Sequence, residues 1–324
     1  MKKQANTIDL VGIGLCREGI ALAHLSRAGD EPSFQQIDYI PTASIDDMTR
    51  AISRWVKEHQ LKDATTNFVL AAHQADAFLT EAPEVADGEL AKAMRWKVKD
   101  MIDYDINDAV VDCFAIPGQR ERGRQPMAYV VTAAVDVLKA YVTSMEDSQL
   151  RLHSIDIPAM VQRNLAAQLP EDKSGVALLV LDEKSGLLSL TKSGELYLSR
   201  DLDYGYAHFA QHATMPADDS GLAIEGMPPA TQSTLDQIVL EVQRSIDYYE
   251  RYFAHPPINS LVIAPTPNVV VGLVDYMASQ LGMRVRELDL NVLLNLQTKL
   301  ERDVQSQCIP AIGAALRTSL SGQD

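Results

Sequence analysis

The chain has 324 residues, of which 46% are hydrophobic and 23% charged. Those proportions belong to ordinary globular proteins and exclude a disordered, collagen-like or continuously coiled-coil chain, and the length is that of two domains. Lysine and arginine total 29 against 44 aspartates and glutamates, a formal charge of −15, so nucleic acid and anionic membrane surfaces are not expected as partners.

In chain order, residues 7–14, 19–25 and 34–39 alternate as strands around turns at Arg17-Glu18-Gly19 and Ala28-Gly29-Asp30, which predicts a three-stranded meander. Ser44 then stands as an N-cap before a helix whose apolar positions are Met48, Ala51, Ile52, Trp55 and Val56. A strand is expected at 67–72. Residues 80–125 read as a small inserted unit. Asp87 opens its helix, with the stripe Leu90, Met94, Val98 and Met101; a strand follows at 109–116 and a charged, Gly/Pro-rich hairpin loop at 117–126. The main pattern is then expected to resume with a strand at 127–132, a helix at 135–144, a strand at 152–155 and a helix from Pro158.

The second half repeats this order. A meander is predicted at 176–181, 187–191 and 195–200, with turns at Lys184-Ser185-Gly186 and Lys192-Ser193-Gly194. A short helix near 206–212 and a loop at 213–232 follow. A long helix is expected from Thr234, carrying Leu235, Ile238, Val242, Ile246, Tyr249 and Phe253 inward and stopped at His255-Pro256-Pro257. A strand at 261–264, a helix at 269–281 closed by Gly282, a strand at 284–288 and a helix after Pro310 complete it. Each half thus reads three strands, helix, strand, helix, strand. That is a duplicated α/β arrangement with mixed sheets, residues 1–170 forming the first domain and 171–324 the second.

Few chemical motifs stand out. Gly12-Ile13-Gly14 lacks the third glycine of a dinucleotide fingerprint, and a strand rather than a helix follows it, so a tight hairpin is the expected role. Phosphate-loop and esterase-elbow patterns are absent. Cys16, Cys113 and Cys308 are widely spaced and form neither a disulfide framework nor a zinc spacing, which points to a reducing compartment. No apolar run reaches the ~20 residues of a membrane span. The first residues have no signal-peptide core, so a cytoplasmic protein is expected. His208 and His212 sit one helical turn apart, a spacing that metal ligands use, but no further ligand accompanies them. Asp100, Asp103, Asp105 and Asp108 do not follow a calcium-loop pattern. The basic, aromatic helix surface of Lys92, Arg95, Trp96, Lys97 and Lys99 on an acidic chain is a candidate interaction face.

Four segments carry a resemblance to a known family: Glu89–Asp112 (ELAKAMRWKVKDMIDYDINDAVVD), the meander 176–205 ending SRDLDYG, EVQRSIDYYERY at 241–252, and IPAIGAALR at 309–317. With them the whole chain resembles the PilM-like proteins of type IV pilus assembly, relatives of the cell-division protein FtsA and of the cytoplasmic part of GspL. The resemblance implies duplicated actin-like (RNase H-like) domains with a small α+β insertion in the first. It also implies a partner, the cytoplasmic tail of a PilN-like inner-membrane protein, docking beside the inserted unit. The partner-binding candidates are Leu90, Met94, Arg95, Trp96 and Lys99.

The same resemblance exposes departures from ATP-binding members. Their first Asp-x-Gly is here Gly12-x-Gly14. Their second glycine loop is Asp182-Glu183-Lys184-Ser185-Gly186, and their Gly-Gly turn is Ala264-Pro265-Thr266-Pro267-Asn268. Side chains obstruct close approach of backbone N–H groups to phosphate, and proline removes a donor. The expectation is therefore a pseudo-ATPase with no catalytic residues, no cofactor and no metal. The competing readings are an active actin-like ATPase or sugar-kinase-like phosphotransferase and, more remotely, a metallohydrolase built on His208 and His212.

Overall fold

The computed structural model describes residues 8–27, 32–83, 85, 87–117, 119, 125–210, 229–253 and 256–317. The expectations for the extreme N-terminus, the 28–30 turn, the tip of the 117–126 loop, His212, the loop 213–228 and the stop at His255 lie outside these residues. The chain forms two compact units, Met1–Leu165 with Gln307–Asp324, and Ala166–Ser306.

The first unit opens with the meander β1 (Ile8–Cys16), β2 (Gly19–Arg27) and β3 (Ser33–Pro41), followed by α1 (Ile45–Glu58) and β4 (Thr65–Val69). The inserted part holds β5 (Asp76–Glu81), α2 (Leu90–Val98), β6 (Ala109–Ala115) and β7 (Met127–Ala134). Next come α3 (Val135–Asp147), β8 (Arg151–Asp156) and α4 (Pro158–Ala166). The five-stranded sheet runs β3-β2-β1-β4-β8. Its meander is antiparallel, and β4 and β8 add parallel to β1.

Helix α1 forms because its apolar residues recur at helical spacing and its first turn is capped. The Ser44 Oγ accepts from the Asp47 N–H at 3.1 Å. Its stripe packs with Val11, Ile13, Phe68, Tyr141 and Met145 into the main core of the unit. Burying each such side chain stabilises by about 1.5–3 kcal/mol before chain entropy is charged against it. Trp55 is buried there with its Nε1–H donated to Asp38 at 2.6 Å, which satisfies the one polar atom of the ring.

The inserted sheet runs β5-β7-β6, all antiparallel, with α2 on one face. Here the structure corrects two expectations. Strand β5 was not anticipated, and the strand at 127–132 is not the resumption of the main sheet but the central strand β7 of the insertion. Period-two alternation identifies a strand, but not the sheet in which it pairs.

The second unit contains β9 (Val176–Leu181), β10 (Gly186–Lys192), β11 (Glu195–Leu202), α5 (Ala207–Ala210), α6 (Pro229–Phe253), β12 (Ser260–Ile263), α7 (Leu273–Leu281), β13 (Arg284–Glu287) and α8 (Leu290–Leu293). Its sheet order, β11-β10-β9-β12-β13, copies that of the first unit strand for strand. The β10–β11 hairpin closes on Ser193 and Gly194, both at positive φ (51° and 79°), the conformation of a two-residue primed turn. Helix α6 begins at Pro229 rather than Thr234, since proline suits a first helical turn. Helix α7 begins at Leu273 rather than at 269, after Gly272 at φ 81°. Val269 and Val271 therefore lie outside the helix, 65% and 84% exposed.

The last helix, α9 (Arg302–Ala315), runs straight through Pro310, where the sequence predicted a start. Proline there forfeits one helical hydrogen bond, and the packing of the following residues holds the helix together. Ala311, Ile312, Ala314 and Ala315 are fully buried. From Gln307 on, the chain belongs to the first unit and not to the second domain in which the order of elements placed it.

Candidate functional site

Val11 and Ile13 of β1 face the α1/α3 core, so Gly12 and Gly14 face the other way. Helix α9 lies directly on them. A Cβ at Gly12 would fall 2.0 Å from the Ala311 carbonyl oxygen, and one at Gly14 would fall 2.4 Å from the Pro310 Cβ. The glycines permit helix-on-strand contact and do not form the hairpin turn expected of them. That turn is made by Arg17 and Glu18, between the paired Cys16 and Gly19. The same helix is fastened at its C-terminal end. Asn67 Nδ2 donates to Ala314 O at 3.0 Å, Asn164 Nδ2 donates to Gly313 O at 2.9 Å, and Arg317 pairs with Asp156. The two asparagines reach carbonyls of the last helical turn, where Ala314 O also accepts from the Arg317 N–H at 3.2 Å.

In the second unit the β9–β10 turn is closed on itself. The Asp182 N–H donates to Ser185 O at 2.8 Å, while Asp182 O and Glu183 O accept from the Tyr206 and Ala207 N–H groups. Gly205 passes beneath this turn so closely that a Cβ would stand 2.3 Å from Asp182 O. Asp182 keeps exposed surface, yet the protein around it desolvates the carboxyl and pushes it above the ordinary carboxylate range. After β12, Pro265 and Thr266 are buried. Thr266 Oγ1 donates to Asn268 O at 2.7 Å, and Arg302 Nε donates to Thr266 O at 2.8 Å. This segment is held by its own Thr266 and by Arg302 of α9 in a shape without a glycine.

The inserted unit separates the five partner-binding candidates. Met94 is fully buried in the small core of Val98, Ile106, Ala109 and Val130, and Leu90 packs half-buried against that core. Met94, expected as a contact residue, has no exposed surface with which to meet a partner and belongs to the core instead. The half-buried Arg95 donates to Ala109 O at 3.1 Å and to Ile106 O, tying α2 to the start of β6. Its guanidinium is spent on structure. Trp96 is 72% exposed, and Lys99 is exposed just past the helix end. Lys92 is exposed as well, and the spacing 92, 96, 99 sets two ammonium groups on either side of the indole on one helix face. Lys97 points elsewhere, its Nζ donating to Glu81 O at 2.8 Å. Met101, read as the last residue of the buried stripe, lies beyond α2 and is 47% exposed.

Among the described residues, no group of three or more His, Cys, Asp or Glu side chains could hold a metal ion, and no helix is long and apolar enough to cross a membrane.

No protein-family model and no curated protein sequence matches the chain. Solved structures do. One, from a PilM–PilN type IV pilus biogenesis complex, superposes with a TM-score of 0.73 at 16% identity, over 95% of this chain and 98% of that one. The cytoplasmic domain of EpsL, an inner-membrane component of the type II secretion system of Vibrio cholerae, matches with a TM-score of 0.49 at 11% identity, over 94% of each chain. A Bacteroides thetaiotaomicron protein with an actin-like ATPase fold and unknown function gives 0.46 at 10% identity, over 89% of this chain and 96% of that one. With the strand order repeated in both units, the fold of this chain is a pair of duplicated actin-like domains.

Proposed function

We propose that the chain is an actin-like scaffold without catalytic activity in a type IV pilus assembly machine of the MSHA type, similar to MshI. In this reading it works at the cytoplasmic face of the inner membrane, where it binds the cytoplasmic tail of a PilN-like protein (MshJ in the MSHA system). The observation that carries the reading is the similarity, over nearly the whole of both chains, to a protein solved in a PilM–PilN complex. The exposed face of α2 supplies a docking surface. Trp96 offers apolar area, and Lys92 and Lys99 offer charge that stands out on a chain of net charge −15.

The pseudo-ATPase part rests on packing. A carboxylate at position 12, where ATP-binding relatives direct a metal, would need its Cβ inside the backbone of α9. The β9–β10 turn spends its backbone groups internally, and Pro265 and Pro267 replace a glycine turn.

The test is a pull-down of inner-membrane proteins with the purified chain, with and without ATP and magnesium. Capture of a PilN-like protein regardless of nucleotide is the expected result. Its absence in both conditions removes the scaffold reading. Calorimetric titration showing micromolar ATP affinity would favour an active ATPase or sugar-kinase-like phosphotransferase instead.

A further inference from the structure

The first unit carries a second surface feature, formed by elements other than those of the inserted unit. An open groove of about 800 Å³ lies where the β1–β2 turn, the end of β3 and the first turns of α1 meet. Ile40, Pro41, Ala43 and Ala51 contribute apolar lining, Thr42 a hydroxyl, and Arg17, Arg50 and Arg54 line it as well. Arg50 and Arg54 are one helical turn apart on α1, and all three arginines are exposed. The opposing charges are Glu18 and Asp47. Asp47 pairs with Arg50 in an i,i+3 contact whose side chains are 71% and 42% exposed for Arg50 and Asp47 respectively. A pair this open to solvent contributes about 0–1 kcal/mol and exchanges partners readily. Arg54 makes no ion pair among the described residues.

The groove continues an edge. Among the described residues strand β3 pairs only with β2, so alternate backbone groups along its nine residues face away from the sheet. Its one charged residue, Asp38, is occupied by Trp55 and Gln36. The bulge in the β2–β3 ladder falls at His24/Leu25, opposite the N-terminal part of β3, and the register is regular from Gln36 to Pro41, the stretch that runs into the groove.

We propose that this groove binds an extended acidic segment of a partner protein. The segment lies along the outer edge of β3. Its carboxylates meet Arg50 and Arg54 as charge-assisted pairs, and its apolar side chains rest on Ile40 beside them. Charge complementarity decides the occupant. The chain as a whole carries −15 and repels acidic peptides, so Arg50 and Arg54, one helical turn apart on α1 beside the open edge of β3, mark a place where such a peptide is drawn in. A bilayer surface would meet the arginine heads but would leave the apolar lining and the strand edge unused.

The experiment uses the full chain and a fluorescein-labelled peptide of alternating glutamate and leucine, followed by fluorescence polarisation. Saturable binding that weakens with added salt is expected. Joint replacement Arg50→Ala and Arg54→Ala should lower affinity about tenfold or more, as expected for losing hydrogen bonds to charged groups. Ala43→Glu, at an exposed lining position, should do the same, while Lys139→Ala on α3 should change nothing. Circular dichroism on each variant checks that the fold is kept. Absence of binding up to about 1 mM peptide, equal binding by a lysine–leucine peptide, or unchanged affinity in both groove variants overturns the proposal. So does arginine-dependent binding to phosphatidylglycerol vesicles without binding to the peptide.

Discussion

Gly12 and Ala311 are packed backbone to backbone: a single methyl group added to the glycine would stand 2.0 Å from the alanine carbonyl oxygen. Strand and helix are nearly 300 residues apart in the chain and meet here with no side chain between them. The sequence feature that looks most like a phosphate loop is thus a packing device.

Gly12→Ala should therefore destabilise the first unit by about 1–3 kcal/mol or more, because α9 has backbone rather than a flexible side chain at the point of contact. Thermal unfolding should show a clear drop in Tm. Gly88→Ala is the control, since no atom lies within 4 Å of a Cβ placed there. Equal Tm values for the two variants would mean that α9 does not rest on β1 as described.

The legible part of the molecule was the part written in local pattern. Turn residues such as Ser193-Gly194 and the α1 stripe ending at Trp55 and Val56 placed the strands and helices of both halves in their right order. What escaped depends on contacts distant in the chain. Strand β5, with charged ends and a short apolar middle, becomes a strand because Phe78 lies opposite Val130 in β7. Pro310 is a helix breaker by rule, but the burial of Ala311 and Ile312 overrides that rule. The site was half legible. Trp96 falls off the apolar stripe and is exposed, whereas Met94 lies on the stripe and belongs to the core. The groove brings Arg50 and Arg54 of α1 together with the β1–β2 turn and the end of β3, and only the i,i+4 spacing of the two arginines is visible in the sequence.

Trp96 and Met94, two residues apart on α2, should respond in opposite ways. Trp96→Ala removes a side chain that contributes little burial, so Tm should barely move. Affinity for a PilN-like tail should fall by about 2 kcal/mol, or about thirtyfold, if the indole anchors the interface. Met94→Ala opens a cavity in a small core and should cost about 2–5 kcal/mol of stability. A folded Trp96→Ala protein with unchanged tail binding would remove this helix face from the docking site.

Asp172 holds the β10–β11 turn from outside. Its side chain is 4% exposed and accepts from Thr191 Oγ1 at 2.7 Å and from the Gly194 N–H at 2.6 Å, while its carbonyl accepts from the Ser193 N–H at 2.8 Å. Asp172→Ala leaves a buried hydroxyl and a backbone donor without their acceptor, at a cost of about 1–3 kcal/mol for each group left unpaired. Hydrogen exchange at Gly194 should quicken more than at the remaining β10 and β11 amides. Uniform protection across the hairpin would show that the turn does not need the carboxylate.

Cys113 sits in β6 against the core of the inserted unit, and its thiol is pushed up to about 11, first by burial and then by the neighbouring Asp112 charge. Only the thiolate is a nucleophile, so near pH 8 about one molecule in a thousand is reactive at this site. Alkylation by iodoacetamide, mapped by mass spectrometry, should be slow at Cys113 near neutral pH and climb steadily towards pH 11. Asp112→Asn should speed it by lowering the thiol towards the ordinary value. Fast modification at neutral pH in the folded protein would contradict the burial that sets this value.

Glu171 and Arg286 link the turn before β9 to the edge strand β13 through two bonds, Nε to Oε1 at 2.7 Å and Nη2 to Oε2 at 3.0 Å. The hydrogen bonds from Arg286 are the main cause that holds the Glu171 carboxyl below its ordinary 4.5. The unfolded chain therefore binds this proton at a higher pH than the folded one. The resulting stability is complete above 4.5 and fades as pH falls through the depressed folded value. Glu171→Gln keeps the shape and removes the charge, so the variant should melt below the native protein at neutral pH. The Tm gap should narrow as pH drops from about 5 towards 3, where both carboxyl states become protonated. Solvent reaches the arginine, which limits the size of the gap but not its sign. A Tm difference that stays constant across that range would mean that the ion pair adds nothing beyond its neutral hydrogen bonds.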